Sequence, residues 1–108
     1  MSKIEHDVSS GNVFSDIGMS DPVESLAKAE LARKIGSIIK HRHLNQTEAA
    51  KLLGIDQPKV SRLLRGQLRD FSMAKLLDFM LRLDRDIEIR IKKHRSTQVP
   101  PSIEVLAV

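Results

Sequence analysis

The stretch Gln46–Arg65, QTEAAKLLGIDQPKVSRLLR, places two short apolar-patterned segments on either side of a glycine. Ala49, Ala50 and Leu53 precede the turn, Gly54 lies in it, and Ile55, Val60 and Leu63 follow it. Two short helices meeting near a right angle need a small residue where they touch and a glycine where the chain turns with positive φ. Ala50 supplies the first and Gly54 the second, so the stretch reads as a helix-turn-helix. The punctuation agrees. Asn45 and Glu48 have the spacing of a capping box for the first helix, and Asp56 is placed to cap the second. Pro58 falls in the second helix's first turn, where its missing N–H has no intrahelical partner to lose. Gly66 follows as a stop. An alanine- and leucine-rich helical hairpin imitates parts of this pattern, but not the caps, turn and buried positions together.

Working outward, Asp21, Pro22 and Glu24 form a helix start, with Asp21 as the expected cap. Leu26, Leu31, Ile35, Ile38 and Ile39 then approximate one apolar face, and the helix is expected to run to about His43. After Gly66 comes a polar loop, and Ser72 caps a further helix with Leu76, Leu77, Met80 and Leu83 toward the core. Residues 1–20 mix Ser, Gly, Asn and Asp with few periodic apolar positions, which predicts a flexible acidic arm. The organisation is therefore an arm at 1–20, a helix-turn-helix domain at 21–85 with its motif at 46–65, a strand at 86–93 and a tail at 94–108. The fold class is all-α, a compact bundle of four to five helices with a C-terminal strand.

The strand is read from a change of period. Ile87, Ile89 and Ile91 alternate with Glu88, Arg90 and Lys92, and β-branched residues at spacing two argue a strand with one apolar face. Its backbone groups need a ladder, and the compact part of the chain offers no second convincing strand. Antiparallel pairing with a symmetry mate in a homodimer is the economical expectation. Pairing with Ile103–Val108, beyond Pro100 and Pro101, is the alternative.

The chain has 108 residues, enough for one small domain. It has no cysteine, which excludes a disulfide framework and a thiolate metal site. No apolar run approaches the ~20 residues of a membrane span, and no secretory leader is apparent, so a soluble cytoplasmic protein is expected. The net charge is +4 and its distribution is uneven. Residues 1–30 hold two basic and six acidic side chains, residues 31–69 nine and two, and residues 70–108 seven and six. A basic excess confined to the motif is the footprint of phosphate binding; basic residues that merely solvate helices would be interleaved with acidic ones.

The chain resembles the phage-repressor-like (XRE) helix-turn-helix proteins and, within them, the HigA-like antitoxin branch. The resemblance spans about Asn12–Lys93. It rests on NVFSDIG at Asn12–Gly18, on LNQTEAAKLLGIDQPKVSRLLRGQLRDFS at Leu44–Ser72 and on LDRDIEIRIKK at Leu83–Lys93. It implies a lambda-repressor-like fold and a DNA-binding regulator. In many relatives such a protein represses its own operon and neutralises a RelE-like ribonuclease toxin. A regulator without a toxin, or an interaction module that uses the fold without binding DNA, are the competing readings.

In a helix-turn-helix the second helix enters the major groove with its N-terminal and outward positions at base edges. Those positions are Gln57, Pro58, Ser61 and Arg62. Gln57 can pair with adenine N6 and N7, and Arg62 with guanine O6 and N7, each contact worth roughly 1–3 kcal/mol of discrimination. Relatives place base-reading side chains at positions matching Gln57, Pro58 and Arg62. Pro58 departs from the polar residue usual in phage repressors and offers at most apolar contact to a thymine methyl. The resemblance implies a phosphate contact for Gln46, whose alternative role is simple N-terminal polarity. Lys59, Arg65 and Arg69 are the other phosphate candidates. As a dimer the protein would read an inverted-repeat operator.

No catalytic constellation is read. Ser61 has no suitably placed His or Asp, and no phosphate loop or HExxH pattern occurs. No cofactor or metal is expected either: His41 and His43 lie two residues apart, which does not put two ligands on one helix face. The three aromatic residues are all Phe, so there is no stacking platform for single-stranded RNA, and Phe71 and Phe79 are read as core or loop anchors. In the acidic N-terminal segment, Glu5, Asp7, Asp16 and Asp21 beside Val13, Phe14 and Ile17 form a candidate toxin-docking surface; a disordered arm or a cover for the first helix is the alternative.

Overall fold

The computed structural model describes residues 21–107. The arm at 1–20, including Val13, Phe14 and Ile17, lies outside the described residues. Four α-helices form among them: α1 (Asp21–His41), α2 (Gln46–Leu53), α3 (Gln57–Leu64) and α4 (Met73–Arg82). None is long and apolar enough to cross a membrane.

The starts of α2, α3 and α4 follow the side-chain chemistry of their caps. Asn45 Oδ1 accepts from the Glu48 N–H at 2.8 Å while Glu48 Oε1 accepts from the Asn45 N–H at 2.8 Å, a complete capping box. Asp56 Oδ1 accepts from the Lys59 N–H at 2.9 Å, and Ser72 Oγ accepts from the Lys75 N–H at 3.0 Å. Each carboxylate, amide or hydroxyl satisfies a donor that the helix itself cannot. Asp21, the first described residue, is already helical, so it lies inside α1 and not at the expected cap position.

All four helices close through a residue in the left-handed region: His43 (φ 59°), Gly54 (φ 74°), Gly66 (φ 78°) and Asp84 (φ 62°). At the end of α1 the Leu44 N–H donates to Ile39 O at 3.1 Å and the His43 N–H to Lys40 O at 3.0 Å. This paired closure ends α1 at His41, two residues before the expected His43. At Gly54 the Gly54 and Ile55 N–H groups both donate to Ala50 O, at 2.9 and 3.1 Å, and turn the chain from α2 into α3.

One core joins the helices. It contains Leu31, Ala32, Ile35 and Ile39 from α1, Ala49, Ala50 and Leu53 from α2, Val60 and Leu63 from α3, and Leu76, Phe79 and Met80 from α4, with Phe71 and Leu83 beside them. α2 packs on α3, and α1 lies across α4 and α3. Phe71 and Phe79 meet edge to face at 5.9 Å, so Phe71 pins the loop before α4 into the core. The stripe on α1 runs Ala27, Leu31, Ile35, Ile39, and it leaves Leu26, one residue off that line, 59 % exposed. The sequence pattern predicts Leu26 on the buried face; in the fold the smaller Ala27 takes its place.

The expected strand at 86–93 is not formed in the single chain. No β-strand occurs among the described residues, and Ile89 and Ile91 are 76 % and 92 % exposed. The physical reason is that, among the described residues, no backbone hydrogen bond joins residues 86–93 to a second segment with which to build a ladder. Among the described residues the alternative pairing with Ile103–Val108 is absent as well; instead Val105 packs against the helical core, so part of the tail is anchored.

Candidate nucleic-acid interface

α3 has two faces because its apolar residues recur at helical spacing. Val60 and Leu63 are fully buried and hold the helix against the core. Gln57, Pro58 and Lys59 are exposed, and Ser61 and Arg62 are half-buried. The four residues expected to address base edges thus share the solvent side of one eight-residue helix. Its first turn carries no acidic residue, and the carboxylate at the positive end of the helix dipole is that of the cap Asp56, engaged by the Lys59 N–H at 2.9 Å.

The first turns of α2 and α3 are brought together. The Thr47 hydroxyl donates to Gln57 Oε1 at 3.5 Å, a long contact that links the two helix starts. Gln46, half-buried, opens α2 beside it. Lys59, Arg65 and Arg69 are exposed. Arg65 Nη2 reaches Gln67 Oε1 at 3.5 Å, and neither Lys59 nor Arg69 has an acidic partner for its side chain among the described residues.

Arg62 sits differently. Its Nε lies 3.8 Å from Asp70 Oδ2, too far for a hydrogen bond but close enough for an ion pair, and that Nε is sealed from solvent with no hydrogen-bond acceptor. Sequence reasoning overlooked Asp70 and Thr47 as neighbours of the site. Arg62 and Asp70 lie eight positions apart, across a loop whose path no local pattern specifies.

Beside this face an open depression of about 610 Å³ lies between Thr47 and Lys51 of α2, Ile55 in the turn, Gln57 and Lys59 of α3, and Lys75 of α4. Lys75 also rests over the Phe79 ring at 5.7 Å. Lys51 and Lys75 add to the positive flank of the motif. Lys75 arrives only through tertiary packing, which explains why the motif alone does not reveal it.

The geometry is that of two short helices crossing through a glycine turn, with the second one presented to solvent. The profile of a family described as "Helix-turn-helix domain" matches residues 13–92. The chain belongs to this helix-turn-helix family. A solved structure provisionally described as an XRE family transcriptional regulator is similar to this helix-turn-helix protein: it is 38 % identical, with a TM-score of 0.76, over 82 % of this chain and 99 % of that one. No curated protein matches the sequence. Family and fold are thus those of helix-turn-helix proteins, and the likeness to the regulator extends over nearly all of that relative.

Proposed function

We propose that this protein is a sequence-specific DNA-binding transcriptional repressor that acts as a homodimer on an inverted-repeat operator. The observation that carries the proposal is the outward face of α3, where Gln57, Pro58, Ser61 and Arg62 lie together and are flanked by the exposed cations Lys59, Arg65 and Arg69. Gln57 and Arg62 read bases, Pro58 and Ser61 contact base edges, and Gln46, Lys59, Arg65 and Arg69 hold phosphates. No cofactor, metal or catalytic step enters the proposal, and the protein works in the cytoplasm, on the nucleoid.

The homodimer is proposed through residues 86–93. Arg90 Nη2 and Glu88 Oε2 pair at 2.8 Å, as side chains two apart do on one face of an extended segment. The same alternation leaves Ile87, Ile89 and Ile91 for the opposite face, and a second copy would supply the missing ladder. Sedimentation of a chain truncated after Asp86 tests this: a monomer is expected, and an unchanged dimer removes the segment from the interface.

The HigA-like resemblance supports antitoxin duty in a HigBA-like operon, with a RelE-like toxin as protein partner and the operon's own promoter as target. Pull-down of the neighbouring gene's product, by the full chain and by a chain starting at Asp21, separates toxin docking on the arm from docking elsewhere. Equal capture excludes the arm, and no capture by either leaves a regulator without a toxin. For the DNA-binding role itself, a mobility shift of the protein's own promoter fragment with Arg62→Ala as control is the direct experiment. Retardation that ignores both salt and Arg62 would leave only a protein-interaction module.

A further inference from the structure

The contact between Arg62 and Asp70 has a bearing on how α3 discriminates between sequences. Arg62 Nε is shut off from solvent and has no hydrogen-bond acceptor, while Asp70 Oδ2 stands 3.8 Å from it. The Arg62 side chain as a whole is 35 % exposed, and that of Asp70 60 %. Asp70 is held at this place by its neighbour: Phe71 is buried against Phe79 at 5.9 Å, and the Phe71 N–H donates to Leu68 O at 3.0 Å. A carboxylate on a pinned loop therefore faces a guanidinium on the recognition helix.

A guanidinium can meet the O6 and N7 acceptors of guanine through its two Nη groups or through Nε and one Nη. With Nε turned into the protein, only the Nη edge is available. A carboxylate beside the guanidinium also offsets its charge, which weakens attraction to phosphate of any sequence while leaving the Nη donors free to find acceptors.

We propose that Asp70 is a specificity-determining positioning residue: it holds Arg62 with its Nη edge outward for guanine and restrains that cation from binding the DNA backbone indiscriminately. This rests on the reading of α3 as the base-reading helix. It extends that reading to a residue outside the motif, which touches the reader and not the base.

Selection from a randomised duplex DNA library with the full chain tests it, using wild type, Arg62→Ala, Asp70→Ala, Asp70→Asn and Asp70→Glu. The wild type is expected to enrich guanine at one position of each half-site, and Arg62→Ala to lose that preference alone. Asp70→Ala and Asp70→Asn should reduce the same preference by about tenfold. They should also bind non-selected DNA more tightly, with a salt slope steeper by about one. Asp70→Glu should restore part of the preference. Loss of guanine preference in Arg62→Ala with full preference in both Asp70→Ala and Asp70→Asn overturns the positioning role and leaves base reading intact. An unchanged preference in Arg62→Ala overturns both. Because Asp70 is exposed, its variants should melt within about 2 °C of wild type, so that neither change in binding can be ascribed to unfolding.

Discussion

Two regions of the molecule, the block from Asn45 to Leu83 and the segment from Asp86 to Lys93, are both strongly patterned but end in different states. In the block, caps, turns and apolar faces all find partners within the chain: Leu53, Val60, Leu63, Leu76, Phe79 and Leu83 are almost completely withdrawn from water. In the segment, Ile89 and Ile91 keep 76 % and 92 % of their surface. The difference follows from where each period finds its complement. A helix satisfies its backbone within itself and asks its neighbours only for apolar contact; an extended segment must borrow its hydrogen bonds from another chain segment.

The comparison can be broken most directly at the core. Phe79→Ala should destabilise the domain by about 3–5 kcal/mol in chemical denaturation, whereas Ile91→Ala in the exposed segment should change the stability of a monomer by no more than about 0.5 kcal/mol. A loss of several kcal/mol from Ile91→Ala in a monomeric sample would mean that the segment is packed within its own chain after all. Next in size is the turn. Gly54→Ala forces an L side chain into φ 74° and should cost about 1–2 kcal/mol. The new Cβ would also stand 3.2 Å from Arg82 Nη1, a flexible group that can move, so the backbone sets the cost. A Gly54→Ala chain as stable as wild type would contradict the turn geometry.

Smaller still is the cap: Asn45→Ala removes half of the capping box and should lower stability by about 1 kcal/mol, read as a shift of the denaturation midpoint without a change in slope. The smallest effect belongs to the surface. Arg69→Ala should leave stability within about 0.5 kcal/mol of wild type while reducing the salt slope of DNA binding by about one. A slope left as it was would take Arg69 off the phosphate contacts.

What could be read from the residues alone divides along the same line. The capping box at Asn45 and Glu48, the caps Asp56 and Ser72, the Gly54 turn and the inward Val60 and Leu63 are local chemistry at fixed spacing, and they are legible without a fold. Leu26 and Ala27 differ by one position on a helix, and only the packing of α1 decides which is buried. The stop of α1 at His41 depends on His43 entering the left-handed region, which histidine does not advertise as glycine does. The outward residues of α3 follow once Val60 and Leu63 are placed inside, so the candidate site was largely legible too. Asp70 beside Arg62, Thr47 beside Gln57, Lys75 at the flank and Val105 on the core are meetings of residues distant in sequence, and no period records them.

The two regions together carry the proposed function, in which the block would present a reading helix and the segment would pair two such blocks about a twofold axis. Hydroxyl-radical footprinting of the protein's own promoter, with the full chain at moderate salt, tests that proposal most directly. Two protected half-sites are expected, their centres about 34 Å or a multiple of that distance apart on one face of the duplex, and Arg62→Ala should weaken both together. A single protected half-site would contradict the twofold arrangement, and protection unaffected by Arg62→Ala would contradict the reading helix.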